Sequence, residues 1–334
     1  MRHYFCLKRN GICVIVREKE RSGNVRKSIW HQKVEALYHR LPPAHPRFQE
    51  VKKELAKCNA GLEGEKRLLY FLSEINESYR ILHDIRLPSA NGTTHVQIDT
   101  IVICPSIIFL FEVKHISGTL LFNRYTNQMT RNDQVFGDPI TQVQRQEHFF
   151  AEWLPKPMPV LSVVVLSHPQ AKVEFQPVDS PDRAYVLYPT DIRQRMEEKI
   201  NGLPAMLTKK ETFEFAKRLA AAHKPFDQDI FHVFHIQPSD LLPGIHCPKC
   251  GTLTVIKVKR HWECSRCQLL SKTAPIQALH DYTLLVGTAI TNQQLRRFLN
   301  VESRSVSEKL LKKCREDSIG TTKGFVHMMK KPSS

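Results

Sequence analysis

The sequence lacks any apolar run long enough to cross a bilayer, which takes about 20 consecutive apolar residues. Its basic start, residues 1–16, contains only the short apolar run 11–16 and no small-residue cleavage site, so we expect no secretory leader. Both absences favour a cytoplasmic protein without a membrane partner. In a reducing compartment its nine cysteines are expected to be thiolate ligands and not a disulfide framework.

Acidic residues are scarce at both ends of the chain. Residues 1–60 contain 14 Lys and Arg against 5 Asp and Glu, and residues 245–334 contain 16 against 6, for net charges of +9 and +10. The middle, residues 61–244, contributes −3 to the total of +16. Basic flanks suit a polyanion such as nucleic acid, although solvated helix faces would also account for them.

Two runs rich in β-branched and aromatic residues, 97–103 and 107–114, predict a β-hairpin with a short turn. Strand alternation places Asp99 on one face of the first strand, and Glu112 with Lys114 on one face of the second. Such charges are costly to bury unless they are paired or bind a metal. Metal-dependent phosphodiester cleavage needs this set: two anionic oxygens for Mg²⁺ and a cation beside the attacking water. The alternative is an exposed hairpin with Glu-x-Lys on its solvent face.

A helix predicted from Leu62 carries a carboxylate on its apolar face. Glu65 shares the i, i+3, i+4, i+7 stripe with three leucines at positions 68, 69 and 72. A carboxylate on a buried face indicates a functional site. The alternative is that Glu65 caps a helix start near Gly61 and Gly64.

A second helix is predicted to begin with Asp138 as its N-cap and Pro139 in its first turn. On this helix Gln142 and Gln146 share one face with two aromatic residues, which indicates amides that point inward toward a site. A solvent-exposed helix surface is the usual place for Gln and is the alternative. Residues 160–166 are almost entirely apolar and predict a strand that is covered on both faces.

The order helix, three strands, helix, strand, together with these polar residues, resembles the PD-(D/E)-x-K nuclease superfamily. More closely, residues 61–167 are similar to a nuclease-related domain (NERD). The matching segments are 61–65, 83–85, 97–100, 111–118 and 138–143. Asp138 stands where the family often has Asn, and no Pro precedes Asp99.

The resemblance implies a mixed central sheet flanked by helices and a catalytic site that uses Mg²⁺ or Mn²⁺. It implies that Asp99 and Glu112, with the carbonyl of Val113, are the metal ligands and that Lys114 positions the attacking water. Two further residues, Glu65 and Gln142, are implied as supporting members of the catalytic site.

Four cysteines form two C-x2-C pairs separated by 13 residues: Cys247, Cys250, Cys264 and Cys267. This spacing predicts a zinc ribbon, in which two knuckles bind one tetrahedral Zn²⁺ through four thiolates. No coordination position then remains open, so the zinc is expected to be structural and not catalytic. Redox C-x-x-C pairs are the alternative, and the adjacent His246 is not expected to be a ligand.

The residues after the ribbon predict three helices, over 274–286, 291–299 and 305–313, and then a small β-wing over 320–327. Capping boxes at Thr291 and Ser305 mark two helix starts, and the five-residue turn between the last two helices suits a helix-turn-helix. The residues expected to contact nucleic acid are Arg304, Ser305, Lys309, Lys312, Lys313 and, in the wing, Lys323. The alternative is a three-helix cap with a solvated basic face.

These features predict a mixed α/β protein with a restriction-endonuclease-like αβββαβ core. We expect a basic extension with a helical hairpin (helices over 27–38 and 48–58), a NERD-type domain, an α/β linker, the zinc ribbon and a winged-helix-like domain. Their predicted bounds are 1–60, 61–175, 176–244, 245–272 and 273–334. The expected function is metal-dependent hydrolysis of phosphodiester bonds, with DNA as the partner. The alternative is a non-catalytic DNA-binding regulator that keeps the nuclease fold as a scaffold.

Overall fold

The computed structural model describes residues 25–73, 79–320 and 325–330. This part of the chain folds into two compact units. The first, here called the sheet unit, consists mainly of residues 58–226, and the second, the ribbon unit, consists of residues 27–57 and 227–333. No helix among the described residues is both long and apolar enough to span a membrane.

The sheet unit contains two β-sheets. Its strands are β1 (Arg80–Pro88), β2 (His95–Ile103), β3 (Ile108–Lys114), β4 (Gly118–Asn123), β5 (Gln128–Arg131), β6 (Gln134–Gly137), β7 (Val160–Leu166), β8 (Ala171–Gln176) and β9 (Val186–Leu187). The central sheet has the order β1-β2-β3-β7-β9, antiparallel from β1 to β3 and parallel from β3 to β9. The other four strands pair in the order β6-β5-β4-β8. The predicted mixed α/β fold class is confirmed.

Helices cover both faces of the central sheet. The first five helices of the chain are α1 (Ile29–Arg40), α2 (Phe48–Leu72), α3 (Pro139–Phe150), α4 (Ile192–Asn201) and α5 (Lys209–Ala222). Along β3, Leu110 packs in the hydrophobic cluster of α3 and α5, whereas Phe109 and Phe111 pack in that of α2 and α4. Strand β7 is buried between helices on both faces, as its apolar sequence predicts.

Helix α2 differs from its prediction. Instead of one helix over 48–58 and another from Leu62, the structure has a single 25-residue helix that runs through Gly61 and Gly64. A glycine costs a helix interior only about 1 kcal/mol, which the burial of the leucines in its last turns offsets. The suggested role of Glu65 as a cap near a helix start is therefore wrong, because Glu65 lies inside the helix.

The ribbon unit combines α1 with the C-terminal third of the chain. Its further elements are α6 (Ile230–Phe234), β10 (Val255–Val258), β11 (His261–Cys264), α7 (Ala274–Leu285), β12 (Ala289–Ile290), α8 (Asn292–Leu299), α9 (Arg304–Cys314), β13 (Arg315–Ile319) and β14 (Val326–Met329). Strands β10 and β11 form a hairpin, and the other three form an antiparallel sheet in the order β12-β14-β13.

A buried ion pair joins α1 to α7 within the ribbon unit. The guanidinium of Arg40, which is fully buried, donates to Asp281 Oδ2 at 3.0 Å and to the carbonyl of Gly244 at 3.1 Å. It also lies 4.1 Å from the ring centroid of Phe298. Because a buried charge without its partner costs roughly 3–5 kcal/mol, this ion pair holds α1 in the same core as the C-terminal helices.

One prediction near the C-terminus needs a correction, and another falls on residues that the structure does not describe. The capping box at Thr291 is confirmed, but the N-cap of α9 is Ser303, whose hydroxyl accepts from the N–H of Val306, and not Ser305. Ser305 instead lies in the first turn of α9, because the helix begins one residue earlier than predicted. Lys323 lies outside the described residues, as do the first 24 residues of the chain.

Candidate active site and metal centre

The candidate active site lies where β2 and β3 separate. The two strands pair from Ile103 opposite Ile108 to Thr100 opposite Phe111, and no pair follows. Beyond this point Asp99 Oδ2 accepts a hydrogen bond of 2.8 Å from the backbone N–H of Val113. The strand separation therefore forms a fork that brings the carboxylate of Asp99 to the part of β3 that carries Glu112 and Lys114.

Lys114 connects this fork to helix α3. Its ammonium donates to Glu112 Oε1 at 2.6 Å and to Gln142 Oε1 at 3.2 Å. The Glu112 side chain is only 5% exposed, whereas that of Lys114 is 24% exposed. The ammonium can thus contact the buried carboxylate and a molecule from solvent at the same time.

The ionised form is disfavoured for two carboxylates of the site, those of Glu65 and Asp99. Burial raises the pKa of Glu65 and of Asp99 well above the ordinary range, and repulsion from the neighbouring carboxylates raises both further. Among the described residues, no hydrogen bond or salt bridge reaches the carboxylate of Glu65. A hard divalent cation bound to oxygen ligands would relieve this repulsion.

Asp84 on β1 is a site residue that the sequence analysis did not assign. It lies opposite Asp99 at a position where β1 and β2 form no ladder pair although the register is the same on both sides, and its φ of +50° is left-handed, which is rare for a residue with a side chain. Its Oδ1 accepts from Gln97 Nε2 at 2.7 Å, and burial raises its pKa to about 6. The sequence contained a signal for this irregularity, because the buried positions Leu82, Ile85 and Leu87 do not alternate strictly.

Helix α3 contributes two amides, as the sequence analysis indicated. Its start is as predicted, with Asp138 accepting from the N–H of Thr141. Gln146 is 2% exposed and its amide nitrogen contacts Glu112, whereas Gln142 is exposed and reaches Lys114. The structure thus brings together every residue predicted for the catalytic site. Those residues are Glu65, Asp99, Glu112, Lys114 and Gln142.

The donor set of this site fits Mg²⁺ or Mn²⁺ better than a softer metal, because it consists of carboxylate and amide oxygens. In the part of the chain that the structure describes, only the four cysteines bring three or more ligand atoms within 4.8 Å of one another. The carboxylates of the fork are more widely spaced. Mg²⁺ commonly uses one or two carboxylates and completes its shell with water and substrate phosphate. Asp99 and Glu112 meet that requirement.

The four cysteines of the ribbon form a cluster that could hold a metal ion. The sulfur atoms of Cys247 and Cys267 lie 3.5 Å apart, and those of Cys250 and Cys264 lie 3.6 Å apart. A tetrahedron with metal–sulfur bonds of about 2.3 Å has edges of about 3.8 Å, so the cluster has the size of a Zn²⁺ site. The four cysteines of the cluster are free thiols.

The backbone around the cluster forms two similar knuckles. Gly251 and Gln268, which each follow the second cysteine of a pair, have φ values of +70° and +59°. Their N–H groups donate to the carbonyls of Cys247 and Cys264, the first cysteine of the respective pair. His246 contacts the carbonyl of His39 and does not belong to the cluster.

The predicted nucleic-acid contacts on α9 are accessible. The exposed side chains are Arg304, Ser305, Lys309, Lys312 and Lys313. The opposite face of α9 packs inward through Leu311, and Asn292 of α8 binds the carbonyl of Arg304 and the hydroxyl of Ser307. Helices α8 and α9 are thus held together while the basic side chains point to solvent.

Comparison with known proteins bears on the sheet unit. The family model of the nuclease-related domain matches residues 60–167, about a third of the chain, which confirms the resemblance found in the sequence. The match implies a restriction-endonuclease-like fold and an interaction with nucleic acid. It includes both Asp84 and Gln146 and ends before the four cysteines. No curated protein and no solved structure matches the chain.

Proposed function

We propose that this chain is a nuclease or DNA-processing phosphodiesterase that depends on Mg²⁺ or Mn²⁺. The observation that carries the proposal is the convergence of Asp99, Glu112 and Lys114 at the fork between β2 and β3. The fork lies inside the segment that matches the nuclease-related domain. Each of the three residues has the chemistry that hydrolysis of a phosphodiester needs.

In the proposed reaction, Asp99 and Glu112 would hold the divalent cation. The cation, when bound, supplies positive charge for the phosphate oxygens and the leaving oxygen. Lys114 orients the attacking water in line with the bond to be broken, and its hydrogen bonds with Glu112 and Gln142 keep its ammonium in place. Glu65 and Asp84 lie near these ligands, and a bound cation would favour the ionised form of both carboxylates.

The ribbon unit is proposed to bind the nucleic acid. It contains 23 Lys and Arg against 12 Asp and Glu, a net charge of +11, whereas residues 58–226 contain 19 of each. Its last elements follow the order helix, strand, helix, helix, strand, strand, which supports the winged-helix interpretation, with α9 as recognition helix. We assign a structural Zn²⁺ to the four cysteines, since four thiolates leave no position for a substrate.

A non-catalytic DNA-binding protein is the second candidate. The observation that favours it is the exposed basic face of α9, which would serve a regulator equally well without any cleavage. The complete set of acidic residues and lysine at the fork favours the nuclease, because a scaffold would not need buried carboxylates that repel one another.

The two candidates are separated by a cleavage assay on supercoiled plasmid and on single-stranded DNA, each with Mg²⁺, Mn²⁺ or EDTA. We expect cleavage with either metal and none with EDTA. Lys114→Ala should lower the rate by about 10²-fold or more while metal and DNA binding persist. Lys172→Ala, which changes an exposed lysine of β8, is the matched control and should cleave like the wild type. Equal cleavage by wild type and Lys114→Ala would favour the non-catalytic protein.

A further inference from the structure

Helix α3 presents two amides to strand β3 in matching register. Gln142 and Gln146 are one helical turn apart, about 6 Å along the axis, and Glu112 and Lys114 are two strand residues apart, about 6.6 Å. The helix runs against the strand direction, so Gln142 meets Lys114 and Gln146 meets Glu112. Each of the two charged residues on β3 therefore has its own amide on α3.

Gln146 makes two hydrogen bonds with its single amide nitrogen. It donates to Glu112 Oε2 at 2.8 Å and to the carbonyl of Gln97 at 3.0 Å. The first bond fixes one oxygen of Glu112 while Lys114 holds the other. The second bond fixes the backbone of β2 at Gln97, two residues before Asp99. One buried amide thus spans the fork from the strand of one carboxylate to the strand of the other.

We propose that Gln146 is a positioning residue, which sets the orientation of Glu112 and the separation of Glu112 from Asp99 for the divalent cation. The inference rests on the metal role proposed above for these two carboxylates. A carboxylate fixed by hydrogen bonds from both sides presents its remaining lone pairs in one direction. A carboxylate without the amide must first be ordered by the cation, which lowers the affinity for that cation.

The test is a calorimetric titration of the full chain with Mn²⁺, the probe for the divalent cation, and needs no catalytic readout. Gln146→Met keeps the length of the side chain and removes the donor, so we expect the Kd for Mn²⁺ to rise by about 10-fold or more. Gln144→Met on the same helix is the matched control, because Gln144 is exposed and does not touch the fork. It should change the Kd by less than about 2-fold.

Cleavage assays add a second readout. If Gln146 positions a metal ligand, the Mn²⁺ concentration for half-maximal cleavage rises in Gln146→Met, and saturating Mn²⁺ restores most of the rate. If Gln146 had only a structural role, the rate of the variant would fall in proportion to the fraction of protein that is unfolded. Extra Mn²⁺ would then not restore the rate. Should Gln146→Met fail to fold, Gln146→Asn, whose amide is one methylene short of Glu112, must show the weaker binding.

The outcomes separate the two proposals. Wild-type protein that binds no Mn²⁺ at the fork would overturn the proposed metal-dependent function. Wild-type protein that binds Mn²⁺, together with a folded Gln146→Met or Gln146→Asn variant that binds it equally well, would overturn the role of Gln146 alone.

Discussion

The fork groups Glu65, Asp84 and Asp99 together at a cost in stability. Burial raises the pKa of Glu65, Asp84 and Asp99 above the values of the unfolded chain, so at neutral pH these carboxylates oppose folding. A bound cation would remove that opposition. The cluster is therefore best understood as a site that gives up stability for function.

Asp84→Asn should stabilise the metal-free protein at neutral pH. The folded pKa of Asp84 is about 6 against an ordinary value of 3.8, so the folded state binds the proton more tightly than the unfolded chain does. The stability that this proton contributes is complete below about pH 4 and is lost as the pH rises through 6. Asn keeps the acceptor for Gln97 and tolerates the left-handed backbone. We expect a gain of about 1–2 kcal/mol at pH 8.

This prediction is checked by urea denaturation in EDTA at pH 8 and at pH 4.5. The advantage of Asp84→Asn over the wild type should shrink at the lower pH. Asp133→Asn, at the exposed turn between β5 and β6, is the control and should show no such trend. A variant that is less stable than the wild type at pH 8 would contradict the prediction.

At the scale of secondary-structure elements, the approach of α2 to the sheet depends on a glycine. A Cβ at Gly64 would lie 2.8 Å from Ser167 Oγ, 2.9 Å from Val113 Cγ1 and 3.0 Å from His115 Cβ. The Cβ of His115 is attached directly to the backbone just after β3, and Val113 Cγ1 belongs to a β-branched side chain on β3. Neither atom can move far from an added Cβ. Only glycine therefore lets the helix come close enough to place Glu65 beside the fork.

Gly64→Ala should destabilise the sheet unit by about 1–3 kcal/mol and lower the affinity for Mn²⁺, because the helix must move outward with Glu65. Gly61→Ala in the same helix is the matched control, since no atom lies within 4 Å of its added Cβ. It should raise stability by up to about 1 kcal/mol through helix propensity. Denaturation curves and Mn²⁺ titrations of both variants measure these effects. Equal stability of the two would show that α2 has room at Gly64.

The ribbon hairpin does not have a hydrophobic core of its own. Trp262 and Cys264 pack in one cluster with Leu279 of α7, Leu295 of α8 and Leu311 of α9. Bonds from a metal held by the four cysteines would therefore also support the helices. Loss of the metal should affect the ribbon unit as a whole and not the hairpin alone.

Elemental analysis should find one Zn²⁺ per chain, and Cys264→Ser/Cys267→Ser should lose it. In a calorimetric scan, this variant or a chelator should lower the melting temperature of one transition, that of the ribbon unit, by about 10 °C or more, while the transition of the sheet unit stays in place. Cys314→Ser is the control, because Cys314 lies in the same unit but outside the cluster. Unchanged metal content in the double variant would refute the assignment.

At the scale of the whole molecule, the ribbon unit has a net charge of +11, whereas residues 58–226 have a net charge of zero. Reversal of Lys309, Lys312 and Lys313 to Glu should weaken duplex DNA binding. It should also flatten the dependence of log K on log salt by about 0.9 for each phosphate that the protein no longer neutralises. Fluorescence anisotropy over a salt series measures both effects.

The matched control reverses three exposed lysines of the sheet unit, which changes the net charge of the protein by the same amount. These lysines are Lys172, Lys199 and Lys217. A general electrostatic effect would make the two triple variants alike, whereas a binding surface on α9 makes only the first one lose affinity. Identical salt slopes in both variants would favour the solvated basic face that the sequence analysis kept open.

Much of the fold could be predicted because its signals are local. The caps at Asp138 and Thr291, the apolar run of β7 and the two C-x2-C pairs are each patterns of a few neighbouring residues, and the structure agrees with them. The placement of Asp99 relative to Glu112 and Lys114 on the hairpin could be predicted for the same reason. The matched family supplied the rest of the site pattern.

The remaining features depended on packing between distant parts of the chain. Whether α2 continues through Gly61 and Gly64 depends on the leucines that it buries against the sheet, and their burial outweighs the local preference of glycine to end a helix. Asp84 joined the site because the left-handed backbone at this residue, opposite Asp99, could not be read from periodicity, and the specific partner of Gln146, Glu112, was set by the docking of α3. The sequence by itself thus determined the element types and the chemistry available, since propensity and periodicity are properties of neighbouring residues. Tertiary structure decided which polar groups are buried together, because burial is a property of the packed chain.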